Sequence, residues 1–324
     1  MKTSRILAWA RRHARNLVLL GVLGLTIFLM GLLNDEFWKA ENLLNYTRFF
    51  TETGLIACGM TLIIMTGGID LSVGSMVGLC GIVLGYAWLA WGAPAALACC
   101  LGVGLLAGAG NGLLVTGLRL PALVVTLASM ALYRGVAMVI SRAQPVSSFP
   151  EWFYTLGQGY LEVPVVNLPI PVQLFIWLPI MGAGVLVVSK SVSGRYLRAV
   201  GDNERAARFA ALPVRRVKFW AYTATGLLCA LAAVIVTSRF STARADAGEN
   251  YELEVITAVV LGGTSISGGR GTAAGTFLAV LILGLVRNGL TLAGVSDRWK
   301  ILLVGVILIG TAVLNQRLAS SRQT

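Results

Sequence analysis

Ten apolar stretches, most of them about 20 residues long, follow one another along the chain and decide what it can fold into. A hydrocarbon core about 30 Å thick is crossed by about 20 helical residues. Inside it, only helices and closed barrels satisfy every backbone group. The stretches are 17–33, 45–66, 72–91, 94–115, 121–140, 172–189, 219–237, 254–268, 273–292 and 299–315. The eighth is short and glycine-rich at its end. Composition agrees, with 56% apolar and 12% charged residues, against about 25% charged in a soluble domain. The expected fold is an all-α polytopic membrane protein with about ten transmembrane helices. It divides into a basic tail 1–16, one membrane domain 17–315 that includes a long loop 190–218, and a tail 316–324. Stretch 17–33 reads as a retained span, because Asn34-Asp35-Glu36-Phe37-Trp38 follows it instead of a small-residue cleavage site.

Ten spans put both termini on one side. If that side is the cytoplasm, 17 Lys and Arg lie inside and seven outside, with Arg134 and Arg287 within spans. That excess is the positive-inside signal, so both termini are expected to be cytoplasmic. The net charge of +12 sits at span ends and in one loop, which points to anionic lipid headgroups and not to nucleic acid. The outer loop 142–171 combines Pro145, Pro150, Pro164, Pro169 and Pro171 with Trp152, Phe153, Tyr154 and Tyr160, and it reads as an ordered cap at the interface. The five cysteines lie in apolar runs without metal-ligand spacing. The single histidine, His13, lies in the tail. Histidine catalysis and metal binding at membrane depth are therefore excluded.

Residues 67–75, Gly-Gly-Ile-Asp-Leu-Ser-Val-Gly-Ser, place a carboxylate between two apolar stretches. An ionisable group at membrane depth costs roughly 2.5–3.5 kcal/mol and marks a candidate functional site. Asp70 has two readings. It lines or gates a pathway with Gly68 and Ser72, or its carboxylate caps the third span with help from Ser72 and Ser75. Asn111, Thr126 and Asn288 line a polar route or make interhelical hydrogen bonds. Arg134, in mid-span, is expected to pair with a helix carbonyl end or a carboxylate. Arg48 and Glu52 are spaced for a local ion pair. Residues 65–74 are echoed by 260–269, which carries Gly262, Gly263, Gly268 and Gly269. Repeated halves with sites at broken segments are a transporter pattern.

The loop 190–218 contains Gly201-Asp202-Asn203-Glu204-Arg205-Ala206-Ala207-Arg208-Phe209. Asp202 or Asn203 caps a helix there, Glu204 suits its positive end, and Pro213 ends it. Small residues around Phe209 suit a groove on a soluble partner. The other reading is a helix lying on lipid. No Gly-x-x-x-x-Gly-Lys-Ser/Thr occurs, so any ATP hydrolysis belongs to another chain.

Taken together, 59–62, 67–75, Arg134-Gly135, Gly201-Asp202-Asn203 with Ala206-Ala207, 251–253, 258–265, 268–271 and 288–290 give the chain its family likeness. It resembles, over nearly its whole length, the membrane permease of bacterial ATP-binding-cassette carbohydrate importers of the ribose type. Residues 241–263 also look like autoinducer-2 importer permeases. The resemblance implies a non-enzymatic translocation subunit in the bacterial inner membrane, paired with a second copy or a paralogue. ATPase subunits would bind inside, and a periplasmic sugar-binding protein would deliver a monosaccharide or similar solute. It further implies that 201–212 couples the ATPase to the spans, with Gly201, Asp202, Asn203, Arg205, Ala206, Ala207, Arg208 and Phe209 as contacts. No cofactor is expected on this chain, ATP being bound by the partner. An ion-coupled secondary transporter using Asp70 is the alternative from another class.

Overall fold

The computed structural model describes residues 2–163 and 168–320, with side chains over 16–161 and 168–313. Pro164 and the end of the carboxyl-terminal tail lie outside the described residues, as do the side chains of the first 15 residues, His13 among them. The chain begins with α1 (Lys2–Leu33), whose apolar part is Asn16–Leu33. After a 3-10 turn at Asp35–Trp38 come α2 (Ala40–Tyr46), a second 3-10 turn (Thr47–Phe49) and α3 (Thr51–Met65). Then follow α4 (Val73–Trp91), α5 (Ala93–Thr116), α6 (Ala122–Ser141) and the short α7 (Glu151–Gln158). A hairpin of β1 (Tyr160–Val163) and β2 (Leu168–Pro171), with Tyr160 opposite Pro171, leads into α8 (Val172–Lys190). The remainder is α9 (Val192–Asp202), α10 (Glu204–Phe209), α11 (Val214–Phe240), α12 (Tyr251–Leu261), α13 (Ala273–Leu292) and α14 (Asp297–Ser320).

Among the described residues, seven helices are long and apolar enough to cross a membrane singly. An eighth candidate is the pair Ala40–Phe49 and Thr51–Met65, bent by 54°. Most boundaries fall within a few residues of the apolar stretches, and α13 coincides with 273–292. The stretch 254–268 departs from expectation. Its helix, α12, has 11 residues and ends at Leu261. Gly263, Gly268 and Gly269 take φ of 85°, 88° and 77°. This left-handed backbone is open to glycine and stops a helix whatever its hydropathy.

The core is built around α11. Gly104 and Gly108 of α5 meet Gly226 of α11 so closely that a Cβ on Gly108 would lie 3.0 Å from the Gly226 Cα. Small residues let helix backbones approach in this way where no hydrophobic force joins helices in lipid. α3 and α4 are buried along almost their whole length. By contrast, α1 and α6 turn Leu25, Phe28, Leu32, Leu127, Leu132 and Val139 outward, as helices bathed in hydrocarbon do. The described part of 142–171 gathers aromatic rings against α4. Phe153 of α7 is fully buried, with its ring 4.9 Å from Trp88 and stacked 5.0 Å from Phe149.

Candidate functional site: two glycine turns and an exposed helix pair

The chain breaks between α3 and α4. Gly67 (φ 77°) turns it back, and the amides of Gly67 and Gly68 bond the carbonyls of Ile64 and Ile63 at 2.9 and 3.2 Å. Asp70 is fully buried. Its Oδ1 accepts from the Ser72 amide (2.9 Å) and the Ser72 hydroxyl (2.6 Å), a turn that launches α4. Asn111 of α5 donates to Ser72 Oγ at 2.9 Å and to Asp70 Oδ2 at 3.4 Å. The Asn111 carbonyl oxygen accepts from the hydroxyls of Ser129 (2.6 Å) and Tyr133 (3.0 Å) on α6. One amide thus joins three helices. Thr126 donates to the Ile69 carbonyl at 3.3 Å. Ser75 does not join the carboxylate as expected. It is a turn further along α4, and its hydroxyl bonds the Ser72 carbonyl at 2.8 Å.

The loop 190–218 holds two helices, where one was expected over 201–212. Asn203 is extended (φ −155°) and separates them. It is Asn203 that caps α10, accepting from the Ala206 amide at 2.9 Å, while Asp202 ends α9. Ala207 packs with Val200 and Val214 beneath α10, whereas Phe209 is 92% exposed. Arg205 and Ala206 are also exposed. Glu204 pairs with Arg208 one turn on and with Lys218 of α11. Burial pushes the Glu204 carboxyl up, but hydrogen bonds from Lys218 and Arg208 outweigh it and hold the group below its ordinary value.

The end of α9 is wedged against both breaks. The Gly269 amide donates to the Met65 carbonyl at 3.0 Å and so ties the segment 262–272 to the end of α3. Gly201 lies against this bond, and any Cβ there would collide with the Met65 carbonyl oxygen and the Gly269 nitrogen. A Cβ on Gly268 would lie 2.9 Å from both the Gly201 oxygen and the Gly67 nitrogen. One on Gly269 would lie 2.9 Å from the Asp202 Cα. Real Cβ atoms do not tolerate such distances, so the junction is open to glycine alone. Gly262 packs backbone to backbone on the start of α13, where a Cβ would lie 2.5 Å from the Thr276 nitrogen.

Arg134 and Asn288 make their contacts elsewhere. Arg134 donates to two carbonyls of the non-helical segment 241–250, Ala245 and, at 3.1 Å, Ala247. Its partner is therefore carbonyl oxygen, in a loop and not at a helix end. That segment runs along α4, with Ala243 beside Gly85 and Gly248 beside Gly74. Asn288 is buried on α13, and its Nδ2 has no partner among the described residues. The expected Arg48–Glu52 pair is absent. Glu52 pairs instead with Arg239 of α11, and Arg48 bonds the Gln158 carbonyl (3.2 Å) and the Tyr160 hydroxyl (2.6 Å). A 3-10 turn and a bend at Phe50 (φ −123°, ψ 2°) separate the two residues, so the helical spacing rule fails. Sequence reasoning missed this pair, and likewise Glu254–Arg287 at 2.5 Å. The available signal was a charge inside or just past each apolar stretch.

The fold now holds a bent candidate span, two glycine turns, a buried polar link and an exposed short helix. Residues 42–312 match the family described as branched-chain amino acid transport system, permease component. The ribose import permease protein RbsC of Bacillus subtilis (strain 168) is 38% identical over 90% of this chain and 89% of its own length. RbsC of Escherichia coli (strain K12) is 36% identical over 96% and 95%. The autoinducer 2 import system permease protein LsrD of Yersinia enterocolitica is 37% identical over 92% and 91%. No solved structure matches the chain. On the match across 42–312 and these full-length likenesses, the chain belongs to this family of membrane transport permeases.

Proposed function

We propose that the chain is the translocation subunit of a bacterial ATP-binding-cassette importer, moving a monosaccharide or similar small solute across the cytoplasmic membrane. A periplasmic binding protein delivers the solute. A separate ATPase docks on α10, with Phe209 as the anchor, and a second permease copy or a paralogue completes the pathway. The chain crosses the membrane ten times, with both termini in the cytoplasm. α12 and α3 are the incomplete or bent members of that set.

The observation that carries this reading is the Gly201 junction. A force applied to α10 passes through Asn203 to the end of α9. There Gly201 and Asp202 press on Met65 at the end of α3 and on Gly268 and Gly269 ahead of α13. One displacement of α9 thus acts on both broken spans together, without a contact to the solute. Asp70, Ser72 and Asn111 hold the start of α4 while this occurs, with Gly68 giving room for Tyr222. A 92% exposed phenylalanine next to Arg208 and one turn after Arg205 is costly in water and suits burial in a partner groove.

The test is co-purification. Phe209→Ala and Arg205→Glu should each weaken recovery of the ATPase subunit while the permease stays in the membrane. Full recovery in both variants would sink the docking assignment. Uptake that survives a protonophore but fails without the ATPase separates this reading from ion coupling. A second solute, autoinducer 2, is favoured by the likeness to LsrD. A panel of labelled sugars and autoinducer 2, tested in a deletion strain, decides between them.

A further inference from the structure

A cavity of about 220 Å³ opens beneath α10, between the turn joining α5 to α6 and the first turns of α11. A water occupies about 30 Å³ in the liquid, so the space holds a ligand group with its hydration. Its lining is strongly positive: Arg119, Arg208, Arg215 and Lys218 stand against one carboxylate, Glu204. Glu204 is already shared by Arg208 and Lys218. The side chains of Arg119 and Arg215 make no hydrogen bond or ion pair among the described residues, and Arg119 is held at a left-handed φ of 57°.

Two helix starts also border the cavity, Ala122 of α6 and Val214 of α11. Their N-caps are Pro121 and Pro213, which offer no side-chain cap. First-turn amides and the helix dipole favour an anion at such ends. Tyr222 supplies the independent sign. It is fully buried, it lines the cavity beside Gly68, and its hydroxyl has no partner among the described residues. A buried hydroxyl without a partner is costly and calls for a group to bond. Paired guanidinium forks and a hydroxyl match the oxygens of phosphate more closely than they match a neutral sugar.

We propose that this cavity binds a phosphate group, gripped by Arg119 and Arg215 with Lys218 beside them and the Tyr222 hydroxyl at its base. The phosphate is either that of an anionic lipid headgroup or that of a soluble phosphate-bearing molecule. Once bound, it bridges the α5–α6 turn to the start of α11, beside the first broken span. The function proposed above does not depend on it.

The experiment uses the full-length permease in nanodiscs. In one arm the lipid is phosphatidylcholine alone and inorganic phosphate is titrated against chloride at equal ionic strength. In the other arm phosphatidylglycerol replaces part of the lipid and no phosphate is added. A saturable rise in unfolding temperature in the first arm identifies a soluble phosphate ligand, and a rise in the second arm alone identifies the headgroup. Either response should vanish in the double variant Arg119→Gln, Arg215→Gln and survive in the double lysine variant, which separates loss of the site from loss of the fold. Tyr222→Phe, which keeps the ring, should weaken the response about tenfold or more, as expected for one hydrogen bond to a charged group. No response in either arm, or an unchanged response in the double glutamine variant, overturns the proposal.

Discussion

Glu52 of α3 and Arg239 of α11, 187 positions apart in the chain, form an ion pair with side chains only 0% and 8% exposed. The guanidinium also lies over the rings of Phe240 (4.3 Å) and Phe49 (5.0 Å), and the Tyr251 hydroxyl approaches Glu52 Oε1 at 3.4 Å. The pair locks the start of α3 to the end of α11, opposite the Gly201 junction at the other end of α3. Removing one partner strands a buried charge, at a cost of about 3–5 kcal/mol. Glu52→Gln and Arg239→Met should each lower the unfolding temperature of the purified permease sharply. The double variant should recover much of the loss, because it leaves no charge behind. Single variants as stable as wild type would contradict the pairing.

At the other end of α3, Gly201→Ala inserts a methyl where the Met65 carbonyl and the Gly269 amide already touch. Overpacking of this kind costs about 1–3 kcal/mol. The variant should reach the membrane and still bring down the ATPase, because the exposed face of α10 is untouched. Uptake should fall at least tenfold, and ATP hydrolysis should no longer rise with loaded binding protein. Normal uptake would show that the junction transmits nothing.

The polar link at the first break separates two substitutions. Asp70→Asn keeps an oxygen to accept from Ser72, but it turns an amide toward the Asn111 amide, so a modest loss of stability is expected. Asn111→Ala removes the group that joins Ser72, Ser129 and Tyr133. Ser72 keeps Asp70 and Tyr133 keeps the Ala107 carbonyl, but the Ser129 hydroxyl loses its partner, and a hydroxyl stranded in a buried site costs about 1–3 kcal/mol. The Asn111→Ala protein should therefore unfold at a clearly lower temperature than Asp70→Asn, measured side by side in detergent.

A pH effect follows from Glu204, whose folded-state pKa is depressed by Lys218 and Arg208 below its ordinary 4.5. A depressed carboxylate stabilises the fold above the ordinary value and loses that contribution as pH falls through the folded value. The group is about one-third exposed, so solvent screening limits the effect to about 0.5 kcal/mol or less. Glu204→Gln should unfold slightly below wild type at pH 7. The gap should close as the pH falls below 4.5. A gap that widens with acid would reverse the sign and refute the assignment.

Hydropathy located the helices well because a bilayer demands long apolar runs, and α13 shows how sharp that signal is. It missed the end of α12 because left-handed glycines stop a helix without lowering the apolar count. The Arg48–Glu52 expectation failed for a related reason: spacing of four residues assumes one continuous helix, and Phe50 bends it. Residues 65–74 and 260–269 echo each other in sequence, and in the fold their glycines meet at Gly201. Nothing in either segment alone announced that meeting, since it joins positions more than 60 residues apart through backbone contacts. Asn203, Glu204 and Phe209 were legible because capping and exposure are local properties.

The non-helical segment 241–250 and the 11-residue α12 bear on how the protein is made. At 1.5 Å per residue, α12 is about 16 Å long, half of what a bilayer requires. The segment before it carries Arg244, Asp246 and Glu249. A translocon that sorts windows of about 19 residues by hydropathy has little reason to release this stretch into lipid. Its carbonyls need Arg134 of α6, and Glu254 needs Arg287 of α13. On the ten-span reading proposed above, insertion of this part awaits helices made before and after it, so that membrane entry and tertiary folding become one event. Loss of Arg134 should thus appear first as a nascent chain degraded by quality control, before any change in the rate of transport.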